Sequence, residues 1–593
     1  MRAETWKNLS SASRWGCYFI LIGLVAGLGA VLFHFLCEVG FYFFMDMLAG
    51  YHPPSPTGEQ HLFASTGAPF SKNMLFILPC VGGLISGFLV YTFCPEAEGH
   101  GTDAAINAYH AKQGKIRGRV PFIKTLASAV TLTSGGSGGR EGPIAQIGAG
   151  FGSFLATKLG LSDRERRIML AAGMGAGIGS IFKAPLAGAL FAAEVLYRDP
   201  EIESEVIIPA GLSSVVAYCV FCSFFGWGAL FTPPEMTFSN PLELLPYTVL
   251  AGTVTVFGWL YVRTFYSVSG FFNRLKIKKH FRPAIGGLLT GAIGYFLPQT
   301  LSFGYGYIQM ALNNEATIWL LITLAGGKIL TTSFSIGSGG SGGVFGPSVV
   351  IGGALGGVVG IIFHQLMPAV VTQPAAFVIV GMAGFFAGVS NTPVSTIIFI
   401  SEMTSSYHLL LPSMLVCSLS YVASQKWTIF KNQPQSRMAS PAHTGEFFVD
   451  LLESIKIRDL KDEVRMPLLI PQNMRLGEFK GILAQTKQHY FPVVDPLGKM
   501  RGIFSSTDLR EFLFDDSYND LLIMDDIAQK DILSVVLSED MSSVMRKFTQ
   551  QNVDSLPVIV DGEPSSLIGM ISRKSVIDCY NKRLAEQKNK KGA

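Results

Sequence analysis

The chain has 593 residues, 49% of them hydrophobic and only 15% charged, with a mean hydropathy of +0.38. That composition excludes a soluble enzyme over most of its length and points to lipid as its surroundings. The formal net charge of +4 is too small to make nucleic acid a partner.

Taken from the N-terminus, residues 1–14 read as a cytoplasmic segment. The first apolar run, 17–33, continues past the length of a cleavable signal peptide. Residues 15–436 are expected to form an all-α, multi-spanning membrane domain. Its apolar runs at 17–33, 74–93, 244–262, 284–296 and 317–332 approach the roughly 20 residues that a spanning helix needs. Lys112, Lys115, Arg117 and Arg119 lie in one loop, and Arg274, Lys276, Lys278, Lys279 and Arg282 in another; both mark cytoplasmic loops by the excess of basic residues on that side. Lys124 stands within the apolar run 120–133, where its amine either raises the local potential toward anions or snorkels to a helix end.

Ser134-Gly-Gly-Ser-Gly-Gly-Arg-Glu-Gly-Pro143 then recurs 204 positions later as Ser338-Gly-Gly-Ser-Gly-Gly-Val-Phe-Gly-Pro347. Unwound backbone is tolerated at membrane depth only where it lines a cavity, and such breaks at matched positions of two halves point to a transport site. The apolar stretches that follow, 144–159 and 348–363, run about sixteen residues, or roughly 24 Å, and are expected to start near the midplane rather than to span. Proline suits their first turn, where its missing N–H costs nothing. Further along, Ala184-Pro-Leu-Ala-Gly-Ala-Leu-Phe-Ala-Ala-Glu194 aligns with Thr392-Pro-Val-Ser-Thr-Ile-Ile-Phe-Ile-Ser-Glu402, and Gly173-Met174 with Gly381-Met382. Three landmarks in one order define a duplication, with halves at about 73–225 and 244–425. The repeat alone leaves open whether the halves are parallel or inverted. Cys219 and Cys222 have redox-motif spacing but lie in an apolar run, which favours packing.

Charged residues return after His443, and residues 447–593 are read as a soluble α/β tail with its own repeat at about 456–515 and 526–583. His489-Tyr-Phe-Pro-Val-Val-Asp495 followed by Gly502-Ile-Phe-Ser-Ser-Thr-Asp508 compares with Asp554-Ser-Leu-Pro-Val-Ile-Val-Asp561 followed by Gly569-Met-Ile-Ser-Arg-Lys-Ser575. Each copy predicts a β-branched strand, a turn, a second strand and a helix. Residues 588–591 are expected to form a solvated, irregular end.

These blocks resemble the CLC family of chloride channels and chloride/proton exchangers, here of prokaryotic type, followed by a tandem pair of CBS domains. Gly139-Arg-Glu-Gly-Pro143 matches the family's GREGP and Gly343-Val-Phe-Gly-Pro347 its GxFxP; Gly99-His-Gly-Thr-Asp103 stands in place of GSGIP, and Phe430 where a tyrosine is usual. The resemblance implies an inverted repeat and a homodimer with one pore per subunit. It also implies helix N-termini converging on dehydrated chloride, in a bacterial inner membrane with N-terminus and tail in the cytoplasm. A helix N-terminus with unpaired N–H donors binds an anion without a full cationic side chain, and so lets it leave. The anion-binding residues implied are His100, Gly101, Arg140, Gly142, Val344, Phe345 and Phe430. Glu141 is the gate, a carboxylate that mimics the anion when ionised and vacates its place when protonated. Arg140 adds positive potential or pairs with a carboxylate.

Family exchangers commonly place a proton-passing glutamate directly after the position of Glu194; here it is Val195, which favours a channel over an exchanger. Glu194 is a substitute proton carrier or, with Glu402, a buried structural carboxylate. His100 replaces a serine, so its ring faces the anion as a titratable donor or points away, and Phe430 lacks the hydroxyl of the usual tyrosine. In the tail, Asp508 occupies a position from which CBS domains hold an adenine nucleotide's ribose, whereas Ser575 replaces it in the second copy; the tail binds a nucleotide or only supports the dimer. The reading is therefore a passive, Glu141-gated chloride channel, voltage- or proton-gated. Its rivals are a chloride/proton exchanger with an unusual inner proton route and a CBS-linked chloride or pH sensor. The membrane part contains no nucleophile-and-base constellation, metal-ligand cluster or phosphate loop, so an enzyme is not expected.

Overall fold

A computed structural model of the chain describes residues 11–59, 62–443, 452 and 455–591. The first ten residues of the expected N-terminal segment and the beginning of the tail at 447 lie outside the described residues. The chain divides into two compact units, Met1–Ala442 and His443–Ala593.

The first unit is helical. Among the described residues its first eight α-helices are α1 (Ser11–Phe41), α2 (Lys72–Phe93), α3 (Gly101–Ala111), α4 (Val120–Thr133), α5 (Glu141–Lys158), α6 (Asp163–Ile181), α7 (Pro185–Glu194) and α8 (Ser204–Phe225). Eight more follow: α9 (Leu244–Arg274), α10 (Arg282–Phe296), α11 (Tyr305–Leu312), α12 (Ile318–Gly337), α13 (Phe345–Leu366), α14 (Pro374–Ser390), α15 (Pro393–Thr404) and α16 (Leu410–Ser424). The two sets match in order, and the 31-residue α9 has its counterpart in the 31-residue α1, so the first half begins well before residue 73. Six helices are long and apolar enough to cross a bilayer among the described residues. One of them is α13, with 22 residues, which corrects the expectation of a short second half-helix. The helix starts at Phe345, ahead of its proline, and continues to Leu366, because Pro347 falls in the first turn where no carbonyl awaits its N–H. Cys219 and Cys222 both lie in α8 with free thiols, Cys222 buried and Cys219 exposed.

Equivalent segments of the halves meet antiparallel. Gly139 and Gly343 form an antiparallel bridge, the amide of each donating to the carbonyl of the other at 2.8 and 2.7 Å. The chain can leave α4 and α12 for this crossing because Gly135 and Gly339 take φ of 101° and 104°, a region closed to residues with a Cβ. Gly138 N donates to Ser302 O and, in mirror image, Gly342 N to Gly99 O, both at 3.4 Å. The repeat is thus inverted. Close approach of helices is built the same way twice: a Cβ on Gly148 would stand 2.0 Å from the Gly173 carbonyl oxygen, and one on Gly352 2.4 Å from that of Gly381. Pair α5/α6 and pair α13/α14 therefore touch backbone to backbone.

The described residues of the second unit form two three-stranded sheets of identical topology. In the first, β1 (Ile470–Pro471) pairs parallel with β2 (Tyr490–Val494), which pairs antiparallel with β3 (Met500–Ser505). In the second, β4 (Val535–Val536), β5 (Ser555–Val560) and β6 (Glu563–Ser572) repeat the order, and Val493↔Gly502 has its equivalent in Val558↔Gly569. The last helix, α17 (Arg573–Lys591), carries residues 588–591 within it, where an irregular end was expected. Lys, Gln, Glu, Arg and Ala are strong helix formers, and their run from residue 582 extends the helix begun at Arg573.

Candidate functional site

Glu141 opens α5, with Pro143 in the same turn, and its carboxyl group is buried at 2% exposure. The Tyr305 hydroxyl, at the start of α11, donates to Glu141 Oε1. Glycines leave the carboxylate its room: a Cβ on Gly346 would come within 2.7 Å of Oε1, and one on Gly343 within 2.8 Å of Oε2. The side chain of Glu141 therefore lies over the first turn of α13, where the amides of Val344, Phe345 and Gly346 have no helical carbonyl to bond and the helix dipole is positive. Oε2 accepts no hydrogen bond from the described residues. Beneath the site, the Phe345 ring packs on Phe182, Phe386 and Phe399 with centroids 5.0, 4.1 and 4.7 Å away, which fixes the N-terminus of α13 in place.

Arg140, the preceding residue, turns away from Glu141. Its guanidinium forms an ion pair with Glu59, donates to His34 Nδ1 at 3.0 Å, and lies over the rings of Phe303 and Tyr305 at 4.9 and 5.6 Å. Of the two readings of Arg140, pairing with a carboxylate is what the geometry holds. The same guanidinium backs the ring of Tyr305, which holds Glu141. A cavity of about 320 Å³ lined by His34, Glu59, Lys183 and Phe225 adjoins this pair.

A second cavity of about 420 Å³ is lined by His100, Asp103, Lys112, Lys115, Arg117 and Lys431. Its basic loop is the one the sequence assigns to the cytoplasm. His100 is the N-cap residue of α3, and its ring sits between Phe430 and Phe265, at 5.7 and 5.8 Å. Its Nδ1 is buried and has no hydrogen-bond partner among the described residues. Gly101 seats α3 on α5, since a Cβ there would meet the Gly142 carbonyl at 2.3 Å; one on Gly142 would meet Gly343 Cα at 2.9 Å. Phe430 is buried, its amide bound to Thr428 Oγ1 at 3.1 Å.

Lys124 does not snorkel. It is fully buried, and its Nζ donates to the carbonyls of Ala97 at 3.0 Å and Gly99 at 2.6 Å, tying down the turn that presents His100. Lys328 does the same in the other half, donating to Ser302 at 2.6 Å and Thr300 at 3.3 Å just ahead of Tyr305. Lys328 escaped the sequence reading although it stands 204 positions after Lys124, the offset of the glycine repeat. Tyr305 escaped it too, and nothing in its local sequence ties it to Glu141.

Glu194 and Glu402 are exchanged between the halves. Glu194 accepts from Val394 N, Ser395 N and Ser395 Oγ at 2.9, 2.7 and 2.5 Å, capping the start of α15. Glu402 accepts from Leu186 N and Ala187 N at 3.3 and 2.8 Å, capping the start of α7. Each carboxylate satisfies the orphan amides of the mirror helix. Val195 is buried at the end of α7, its carbonyl accepting from Gln433 Nε2 at 2.8 Å.

In the tail a cleft of about 810 Å³ is lined by residues of both repeats, among them Tyr490, Ser506, Thr507, Asp554, Lys574 and Ser575. The Asp508 carboxylate is turned onto Ser505, accepting from its amide at 2.7 Å and its hydroxyl at 2.9 Å, and Ser575 is bonded to Ser572 in the equivalent place.

Two inverted halves whose broken helices bring N-termini together at a buried carboxylate, between a cavity on either side, define a multi-spanning membrane protein of the ion-transport class. Residues 82–425 match the model of the voltage gated chloride channel family, and the chain belongs to that family of anion channels and transporters. Residues 458–515 and 524–582 match the CBS domain. A H(+)/Cl(−) exchange transporter ClcA of Vibrio vulnificus is 30% identical over 411 residues, covering 68% of this chain and 84% of the relative. The chloride channel protein CLC-f of Arabidopsis thaliana is 28% identical over 508 residues, covering 74% and 63%. Among solved structures, a slow cyanobacterial Cl−/H+ antiporter shares the fold with a TM-score of 0.61 at 24% identity, over 70% of this chain and 94% of that one.

Proposed function

We propose that the protein is a passive chloride channel gated by Glu141, a homodimer with one pore in each subunit, in a bacterial inner membrane with its N-terminus and CBS tail in the cytoplasm. The observation that carries this reading is the Glu141 carboxylate lying over the first turn of α13. Chloride and carboxylate compete for the same amides, so an ionised Glu141 closes the path and a protonated one leaves it to the anion. His100 and Phe430 form the inner constriction, and the basic cavity beyond them gathers anions from the cytoplasm. Conduction without obligatory proton coupling is supported by Val195, whose side chain carries no proton, and by Glu194, whose two oxygens are already occupied by three donors.

An exchanger is the second reading, favoured by the relatives named as exchange transporters. Purified protein in liposomes under a chloride gradient separates the two. Chloride is expected to run down its gradient without driving protons uphill, with Glu141→Ala as the control; uphill proton movement overturns the channel and calls for an inner proton route other than residue 195.

We assign the tail cleft to an adenine nucleotide, bound on the side where Asp508 becomes free to leave Ser505. Removing residues 447–593 is expected to leave chloride flux in place and to abolish its response to added ATP or AMP. Absence of steady flux from the intact protein would favour instead a membrane sensor that reports chloride or pH to the tail.

A further inference from the structure

The groups that press Tyr305 against Glu141 are themselves held by a loop beyond the membrane-crossing segments, between Leu48 and Lys72. Its base is closed by Ser71 N donating to Ala49 O at 2.8 Å. Asp46, just past the end of α1, accepts from His52 Nε2 and from Thr66 Oγ1, both at 2.7 Å, and so anchors the two limbs. The first limb, residues 51–59, carries Pro53, Pro54 and Pro56, which stiffen it. It runs along α11. The hydroxyls of Tyr51 and Tyr307 meet at 2.9 Å, and the Pro54 carbonyl rests on Gly306, where a Cβ would stand 1.7 Å from its oxygen. Thr57 Oγ1 lies 2.8 Å from Thr232 Oγ1 and 3.1 Å from Gln309 Oε1. The limb ends in Gly58, whose amide donates to Leu230 O and whose carbonyl accepts from Lys183 Nζ, both at 3.1 Å, and in Glu59, which pairs with Arg140.

Apart from Lys183, these partners converge on one side chain. Tyr305 is the first residue of α11, Phe231 packs on its ring at 6.1 Å, and the Arg140 guanidinium lies over the same ring at 5.6 Å. We propose that residues 51–59 are an outer strap that keeps Tyr305 latched on Glu141, which makes Tyr305 and Thr57 positioning residues of the gate. The inference rests on the reading of Glu141 as the gate. A hydrogen bond to an ionised acceptor is about twice as strong as one between neutral groups, so the phenol favours the carboxylate seated over α13. For Glu141 to leave, that bond must stretch and break. Tyr305 could follow the departing carboxylate only if α11 moved with it, and the strap pins α11 on its far side. The readiness of the gate to open is therefore set in part by a segment outside the membrane, through bonds that never touch the anion.

Chloride efflux from liposomes near neutral pH, where the ionised gate keeps the parent mostly shut, tests both residues. Tyr305→Phe keeps the ring between Phe231 and Arg140 and removes only the donor; flux is expected to rise by about tenfold or more. Thr57→Val keeps the shape of the strap and removes its bonds to Gln309 and Thr232. It is expected to raise flux about threefold in the parent, and to add nothing in Tyr305→Phe or in Glu141→Ala, where no latch is left to loosen. A merely structural role would give loss of flux instead of gain, and the same loss in every background. Flux through Tyr305→Phe at or below that of the parent overturns the latch, and a Thr57→Val effect that persists in Tyr305→Phe overturns the strap. Glu141→Ala conducting no more than the parent overturns the gate itself, a result distinct from either.

Discussion

Chloride flux through the intact protein is expected to rise as pH falls, by up to about tenfold per pH unit where one proton opens one path, and Glu141→Gln is expected to hold it high and flat across the same range. The sign follows from the geometry. Ionised, the carboxylate sits where the amides of Phe345 and Gly346 point and the dipole of α13 favours it. Protonation removes the charge and with it the advantage over chloride. Glutamine carries the shape of the protonated form at every pH, and alanine removes the competitor entirely. Measured as chloride efflux from liposomes between pH 4 and 8, a Glu141→Gln variant that keeps the slope of the parent would sink the gate. Raising external chloride is expected to open the parent at constant pH, as the proposed competition of the two anions for one site requires.

Gly148→Ala is expected to prevent α5 from seating on α6. The added methyl would stand 2.0 Å from the carbonyl oxygen of Gly173 and 2.9 Å from its carbon, both backbone atoms that no side-chain rotation can move aside. Ordinary overpacking costs about 1–3 kcal/mol, and a backbone-to-backbone overlap exceeds it. Since α5 carries Glu141 in its first turn, its displacement also moves that carboxylate off the first turn of α13. Thermal unfolding in detergent, followed by size-exclusion chromatography, is expected to show a protein that has lost most of its folded fraction. Gly252→Ala on α9, where nothing lies within 4 Å, serves as the control and is expected to leave unfolding unchanged or slightly higher. Equal behaviour of the two variants would refute the backbone contact.

Some of this was legible in the sequence because it is local. A glycine run that must take positive φ, followed by a proline in a first helical turn, announces a broken helix wherever it occurs, and Gly135 and Gly339 adopt that backbone. The strand, turn and second strand of each tail repeat were readable for the same reason. Sequence periodicity was a poorer guide to where a helix stops. It missed that α13 runs to Leu366, although Pro368 stands just beyond that end, and that the basic C-terminal run continues α17, which has no apolar period to announce it.

What the sequence by itself determined is the duplication, the two glycine breaks, the carboxylate beside the first of them and the attached tail, all written in residue type and spacing. Only the tertiary structure decided what meets that carboxylate. Tyr305 reaches Glu141 across 164 positions, from a helix of the other half. Glu194 and Glu402 each cap the helix that carries the other, and Lys328 repeats Lys124 in the opposite orientation. These pairings come from folding one half over the other with inverted direction. That operation sets contacts by packing, where glycines let backbones touch and orphan amides must find acceptors, and no local pattern encodes its outcome.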